Sequence, residues 1–302
     1  MNDPTPLRRA DLLASGHTPT ELRNALRTGR LRRIAPGIYL RRHETDGLDD
    51  VDRHRLRVQA LAPALDADAV FSHVSAAVLH GFDLWNVDLS RVHVTRGRTS
   101  GGRRTPHLHV HVGGYGADEI ATCDGLPVTS AARTVVDLAR TLPSDRATVI
   151  GDSALRLRRV DPGALSVALA TSGTKAGIAS ARRVVPFLDG RSESPGESLS
   201  RLRMLDAGMP RPQLQHELRT GDGRFVARTD FYWEGIAGEF DGMGKYGADE
   251  PGATAEIVRR EKLREDAIRQ LGFEVIRWTW PDLFRFHVVQ ARFGQAAQRA
   301  RR

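Results

Sequence analysis

The chain has one cysteine, Cys123, in 302 residues, so no intramolecular disulfide can form. No apolar run approaches the roughly 20 residues a membrane-spanning helix needs, and no charged-then-apolar leader opens the sequence. A cytoplasmic chain without a membrane partner is the expectation. Lysine is almost missing: Lys175, Lys245 and Lys262 stand against forty-two arginines. Acidic residues are too few to balance these, which leaves a net charge of +8 and a pI near 10.4. Such a chain favours a polyanion as partner, although high arginine usage alone also raises the pI. With 40% hydrophobic residues and no internal repeat, the length is enough for two or three domains with their own cores.

The basic charge is concentrated near the start. Between residues 7 and 33 there are seven arginines and two acids, Asp11 and Glu21. Leu7 to Leu13 and Thr20 to Leu26 read as short helices separated by Gly16-His17-Thr18-Pro19, with Thr18 as cap and Pro19 in the first turn. Leu31-Arg32-Arg33-Ile34 and Gly37-Ile38-Tyr39-Leu40 then read as a hairpin. Two helices and a two-stranded wing make a winged helix-turn-helix, and Arg23, Arg27, Arg30, Arg32 and Arg33 are its candidate DNA-binding residues. The alternative for these arginines is a solvated surface.

Residues 51 to 190 carry less chemistry. Val70 to His80 reads as a helix stopped by Gly81, Val92 to Thr95 and Leu108 to Val112 as strands, and Arg96 to Pro106 as a mobile basic loop. Asp124 to Leu138 reads as a turn, a strand end, a cap and an amphipathic helix. His107, His109 and His111 share one strand face, an arrangement able to bind zinc, but without a cysteine or carboxylate at metal-site spacing they read as an exposed face. His73 and His80 read as helix-packing residues and Cys123 as a buried or turn thiol. Asp189 to Gly196 is the expected linker to the last domain.

The last third holds the reactive side chains. Arg224 to Phe231 and Ile236 to Asp241 flank the Trp233-Glu234-Gly235 turn as an antiparallel hairpin would. Period-two alternation places Glu239 and Asp241 on one face, where Asp230 can join them. Acids inside apolar strands need a cation or a substrate to compensate them. Ser194-Pro195-Gly196-Glu197 also fits a capping box, in which Glu197 bonds the Ser194 amide. Glu261, Arg264, Glu265 and Arg269 fit pairing along a helix surface, and Trp278 and Trp280 fit a core strand.

Residues 194 to 283, through Glu197, Asp230, Glu239-Phe240-Asp241-Gly242, Lys245 and the helix Glu261 to Asp266, resemble the nuclease-like domain related to very-short-patch repair (Vsr) endonucleases of the PD-(D/E)XK superfamily. The resemblance implies a site in which Asp230 and Glu239 hold Mg2+ (or Mn2+) and Lys245, Asp241 and Glu197 take catalytic roles. Asp241 stands where the superfamily places its basic residue. The N-terminal segment resembles the winged-helix domain of AbiEi-type antitoxins, and the middle region resembles AbiEi-like proteins with a nuclease-like tail. The expected fold is a multi-domain α/β chain. It comprises a winged helix-turn-helix (residues 1–50), a small α/β connector (51–190) and a restriction-endonuclease-like α/β/α domain with a central mixed sheet (191–302). Two functions follow as expectations. One is Mg2+-dependent hydrolysis of DNA. The other is a non-catalytic DNA-binding antitoxin whose partners are DNA and a cognate toxin.

Overall fold

A computed structural model describes residues 5–242 and 251–301. The chain divides into two compact units, Met1–Ile150 with Arg158–Pro186, and Gly151–Leu157 with Phe187–Arg302.

The first unit opens with β1 (Leu7–Arg8), α1 (Arg9–Ala14), α2 (Pro19–Arg27), β2 (Leu31–Ala35) and β3 (Ile38–Arg41). The strands form a sheet of order β1-β3-β2. Thr18 caps α2 as its sequence demands: its Oγ1 accepts the Glu21 amide, while the Glu21 carboxylate accepts the Thr18 amide at 2.7 Å. Ile34, Ala35, Ile38 and Leu40 pack against Leu56 and Ala60 of α3 (Asp50–Leu61), so these first strands share their core with the helix that follows.

Next come β4 (Ala69–Phe71), α4 (His73–His80), β5 (Val92–Arg96), β6 (Arg103–Arg104), β7 (Leu108–Val112), β8 (Ile120–Cys123) and β9 (Leu126–Thr129). They build a six-stranded mixed sheet of order β6-β7-β5-β4-β9-β8, in which β5 and β7 run parallel. The helix expected from Val70 begins only at His73. Ala69 to Phe71 are buried and pair antiparallel with β5, and so short an apolar run has no periodicity that separates strand from helix. The expected basic loop is also partly structured: Arg103 and Arg104 add an edge strand, Arg96 reaches Asp66 and Asp68, and Arg98 reaches Asp68 at 3.0 Å. Helices α5 (Ala131–Thr141), α6 (Ser144–Arg156, whose residues from Gly151 belong to the second unit), α7 (Pro162–Thr171) and α8 (Ile178–Val184) follow. Ser130 caps α5, and α5 buries a balanced set of charges: Asp137 is held by Arg133 and Arg140 at 2.6 Å each, and Arg133 also reaches Glu119 at 2.7 Å.

The second unit contains α9 (Pro195–Asp206), β10 (Gln213–Arg219), β11 (Phe225–Trp233), β12 (Ile236–Asp241), α10 (Pro251–Gln270), β13 (Glu274–Thr279), α11 (Trp280–Leu283) and α12 (His287–Ala300). Its sheet has the order β10-β11-β12-β13, antiparallel except for the parallel pair β12 and β13, which needs the crossover that α10 supplies. Ile268 of α10 packs with Leu218, Ala227 and Ala237 of the sheet. Elsewhere in the sheet, Trp278 packs at a tilt against Phe231 and donates its indole N–H to Ser200 of α9 at 2.8 Å, while Phe293 of α12 meets Trp233. Gly196 is required in the first turn of α9, because a Cβ there would run into the Phe240 ring. Trp280 does not continue the strand. It opens α11 and meets Phe240 edge-on.

Candidate nucleic-acid interface, acidic site and histidine cluster

The five arginines singled out at the N-terminus are all exposed. Arg23 and Arg27 lie one turn apart on α2, Arg30 follows in the turn, and Arg32 and Arg33 lie on β2. Arg23 donates to Thr20 and Arg30 to Thr28, and among the described residues none of the five forms an ion pair. The burial of Leu22 fixes which face of α2 turns inward, and the arginines take the rest.

The second unit brings Asp230, Glu239 and Glu197 into one neighbourhood. The β11–β12 hairpin forms as expected; Phe231 pairs with Gly238, which sets Asp230 opposite Glu239. Asp230 accepts the Phe240 amide at 2.9 Å, and burial pushes its carboxyl above the usual range, with the Glu239 charge adding to the rise. Glu239 itself is buried and held by arginines. Arg277, its register partner on β13, donates from Nε at 2.8 Å. Arg264 of α10 brings Nη2 to 2.6 Å of the other oxygen, a contact of charge without hydrogen-bond alignment, since that guanidinium donates to the Arg228 carbonyl. Asp241 is exposed at the end of β12 and does not share the buried position of Glu239. Lys245 lies outside the described residues, as does the side chain of Glu261.

Glu197 departs from the capping box expected for it. The Ser194 hydroxyl accepts the Glu197 amide, but the Glu197 carboxylate takes the amide of Glu193 at 2.9 Å, the Ser194 hydroxyl at 2.8 Å and the Gln215 side-chain amide at 2.9 Å. Gln215 reaches it from a left-handed backbone position (φ 53°) within β10. Burial first, and the Asp230 charge second, raise the Glu197 pKa to about 7. The folded state therefore keeps this proton to a higher pH than the unfolded chain, and the stability it contributes declines from pH 4.5 to 7. Glu197→Gln keeps the shape and the acceptor for Glu193. It is expected to gain about 1–3 kcal/mol at pH 8 and little at pH 5, measured by urea unfolding at both pH values. A loss of stability at pH 8 would contradict this.

Whether these residues suit Mg2+ is decided by the donors. Both oxygens of Glu239 face guanidinium groups. Among the described residues, the group of three or more ligands that comes within 4.8 Å consists of histidines, not of these carboxylates. As arranged, the acidic site does not fit the divalent ion that the nuclease resemblance implies. The arginines that decide this come from two other elements, and no spacing in the sequence pairs them with Glu239.

The histidines are the larger surprise. His109 and His111 do not form an exposed strand face. His93 pairs with His109 across the parallel β5–β7 ladder, and His73, at the start of α4, stacks on His111 at 3.7 Å between ring centroids. His109 packs on His111 at 3.8 Å between ring centroids, and Nδ1 of His93 lies 3.0 Å from Nε2 of His111. Burial, followed by the neighbouring histidines, depresses His93 and His111 to about 3 and His73 well below its ordinary value. His80 does pack as expected, with Nε2 donating to the Thr129 carbonyl. Alternation along Val92-His93-Val94-Thr95 was visible in the sequence, but the parallel pairing that sets it beside β7 was not.

Comparison with known proteins places this geometry in context. Residues 68–187 match the model of the AbiEi antitoxin C-terminal domain. Two curated proteins of Mycobacterium tuberculosis, "Uncharacterized protein MT2308" (strain CDC 1551 / Oshkosh) and "Uncharacterized protein Rv2248" (strain ATCC 25618 / H37Rv), are each 31% identical over 261 residues, covering 86% of this chain and 89% of theirs. The crystal structure of the RV2827C protein from Mycobacterium tuberculosis aligns with a TM-score of 0.40 at 17% identity, over 72% of this chain and 84% of that one. No helix among the described residues is long and apolar enough to cross a membrane. The chain belongs to the family of the Mycobacterium tuberculosis proteins MT2308 and Rv2248, and carries an AbiEi antitoxin C-terminal domain at residues 68–187.

Proposed function

We propose that the chain is a DNA-binding regulator of toxin–antitoxin type, which grips DNA through an N-terminal winged helix-turn-helix and acts with a cognate toxin. The observation that carries the proposal is the set of five exposed arginines on α2, its exit and β2, free of ion pairs among the described residues, preceding a segment that matches an antitoxin domain. A capped helix followed by a basic hairpin is the geometry that presents cations to phosphates. In this reading the second unit is a binding or dimerisation module. Neutralisation of Glu239 by Arg264 and Arg277, with Asp241 in place of a lysine, supports that role.

Binding to duplex DNA carrying the chain's own promoter region, followed by fluorescence anisotropy across salt concentrations, tests the proposal. Arg23→Ala and Arg27→Ala are expected to weaken binding, and each lost phosphate contact should flatten the slope of log K against log salt by about 0.9. Unchanged affinity and slope in the double variant would refute the grip assigned to α2.

A second reading, an endonuclease, is favoured by one arrangement. The α9-β10-β11-β12-α10-β13 order, with its single parallel pair, carries Glu197, Asp230 and Glu239 toward one place. Hydrolysis with Mg2+ or Mn2+ would require Glu239 to leave its arginines. Incubation of supercoiled plasmid with either ion, beside Asp230→Ala, separates the two readings: metal-dependent nicking lost in the variant makes the chain an enzyme, and DNA shifting without cleavage leaves it a regulator.

A further inference from the structure

We propose that His73, His93 and His111 form a binding site for a borderline transition-metal ion, Zn2+ foremost, inside the antitoxin-family domain. The three side chains come from α4, β5 and β7, and one ligand atom from each lies within 4.8 Å of the others. Tetrahedral zinc with bonds of about 2.0–2.1 Å sets its ligand nitrogens about 3.3 Å apart. The 3.0 Å between His93 Nδ1 and His111 Nε2 is already close to that separation. Without a metal, one of these nitrogens carries the proton that the other accepts. With a metal, both present lone pairs, and the proton moves to the far nitrogen of its own ring, so no net charge has to be lost.

The surroundings supply what a ligating imidazole needs. His73 Nδ1 lies 3.0 Å from Ser72 Oγ, and that hydroxyl accepts from Thr95 Oγ1 at 2.8 Å. A His73 that donates Nδ1–H to Ser72 has its lone pair on Nε2, the tautomer that outer partners commonly impose on a metal ligand. His73 also holds a left-handed backbone position, φ 51°, which is strained for a residue other than glycine. Strain of this kind persists where the fold holds a side chain in a required place. His93 accepts further support through its own amide, which donates to Ser75 Oγ at 2.8 Å. The donor set is all imidazole, without carboxylate or thiolate, which suits Zn2+, Cu2+ or Ni2+ and not Mg2+ or Ca2+. Three protein ligands leave a fourth position to water. The site lies within the first unit and shares no residue with the carboxylate site, so it stands or falls independently of the function proposed above.

The test is a Zn2+ titration of untagged, chelator-stripped full-length protein by isothermal calorimetry, with Co2+ as a spectroscopic substitute. The expected result is one equivalent bound with Kd below about 1 μM, a metal-dependent rise in Tm, and a tetrahedral Co2+ absorption spectrum without thiolate charge transfer. His93→Gln and His111→Gln should each lower affinity by at least tenfold, and Ser72→Ala by about tenfold. His43→Gln, outside the cluster, should bind as the parent does. Absence of a tight equivalent in the parent protein, or equal affinity in the His93→Gln/His111→Gln double variant, overturns the proposal. The parent measurement alone decides the matter if the variants do not fold.

Discussion

Arg201→Met is expected to destabilise the second unit by about 3–5 kcal/mol, the range for a buried ion pair that loses one partner. Arg201 is buried, and its guanidinium reaches the fully buried Asp152 at 2.7 Å, the Ser192 hydroxyl at 3.3 Å and the Phe187 carbonyl at 2.5 Å, while its cationic carbon sits 4.5 Å above the Phe187 ring. Burial raises the Asp152 carboxyl above its ordinary range, and the Arg201 charge opposes that rise. Without the arginine, Asp152 keeps the Asp189 amide, at 2.7 Å, but loses the ion pair that offsets its burial. Methionine preserves much of the stem's packing, so the loss isolates the charge. The double variant Asp152→Asn/Arg201→Met should recover a large part of it, because no charge is then left buried. Denaturant unfolding of the four proteins gives the coupling directly. Additive losses, or less than about 1 kcal/mol from Arg201→Met alone, would show that the pair contributes little.

Acidification from pH 7 to 4 is expected to open the first unit before the second in metal-free protein. His54 is fully buried. Its Nδ1 donates to the Leu89 carbonyl at 2.8 Å, and Nε2 pairs with Ser75 Oγ at 2.9 Å. Burial lowers its pKa to about 4, with the Leu89 bond working in the opposite direction. A histidine depressed in the fold contributes stability that is present above its unfolded value of 6.5 and lost as pH falls toward 4. That single group withdraws about 3 kcal/mol across the interval, a sizeable part of a typical domain stability of about 5–15 kcal/mol. Glu197 in the second unit works in the reverse sense, since its proton returns as pH falls below 7. Hydrogen exchange, corrected for the intrinsic rate at each pH, should therefore show protection around residues 54–60 and 74–79 collapsing while that around residues 197–204 holds. Equal loss in both segments would contradict the assignment.

How much of this was written locally varies from residue to residue. The N-terminal cap Thr18, the Ser130 cap, the hairpin turning at Glu234-Gly235 and the stop at Gly81 are short-range events, and each stands where its neighbours in sequence require it. The same locality made Asp230 and Glu239 legible as partners, because a hairpin of known turn fixes which residues face each other. It failed at Glu197, where a capping box accounted for the spacing and Gln215, eighteen residues away, changed the partners.

Sequence by itself determined the arginine-rich composition, the basic start of the chain, the caps and turns, and the alternation that sets acids and histidines on strand faces. Tertiary structure alone decided what those faces meet. It brought Arg264 and Arg277 onto Glu239, Arg201 onto Asp152, and His73 and His93 onto His111. Each of these meetings joins segments far apart in the chain through parallel pairing or helix packing. Burial makes these meetings matter, because a charge removed from water is costly unless a neighbour compensates it.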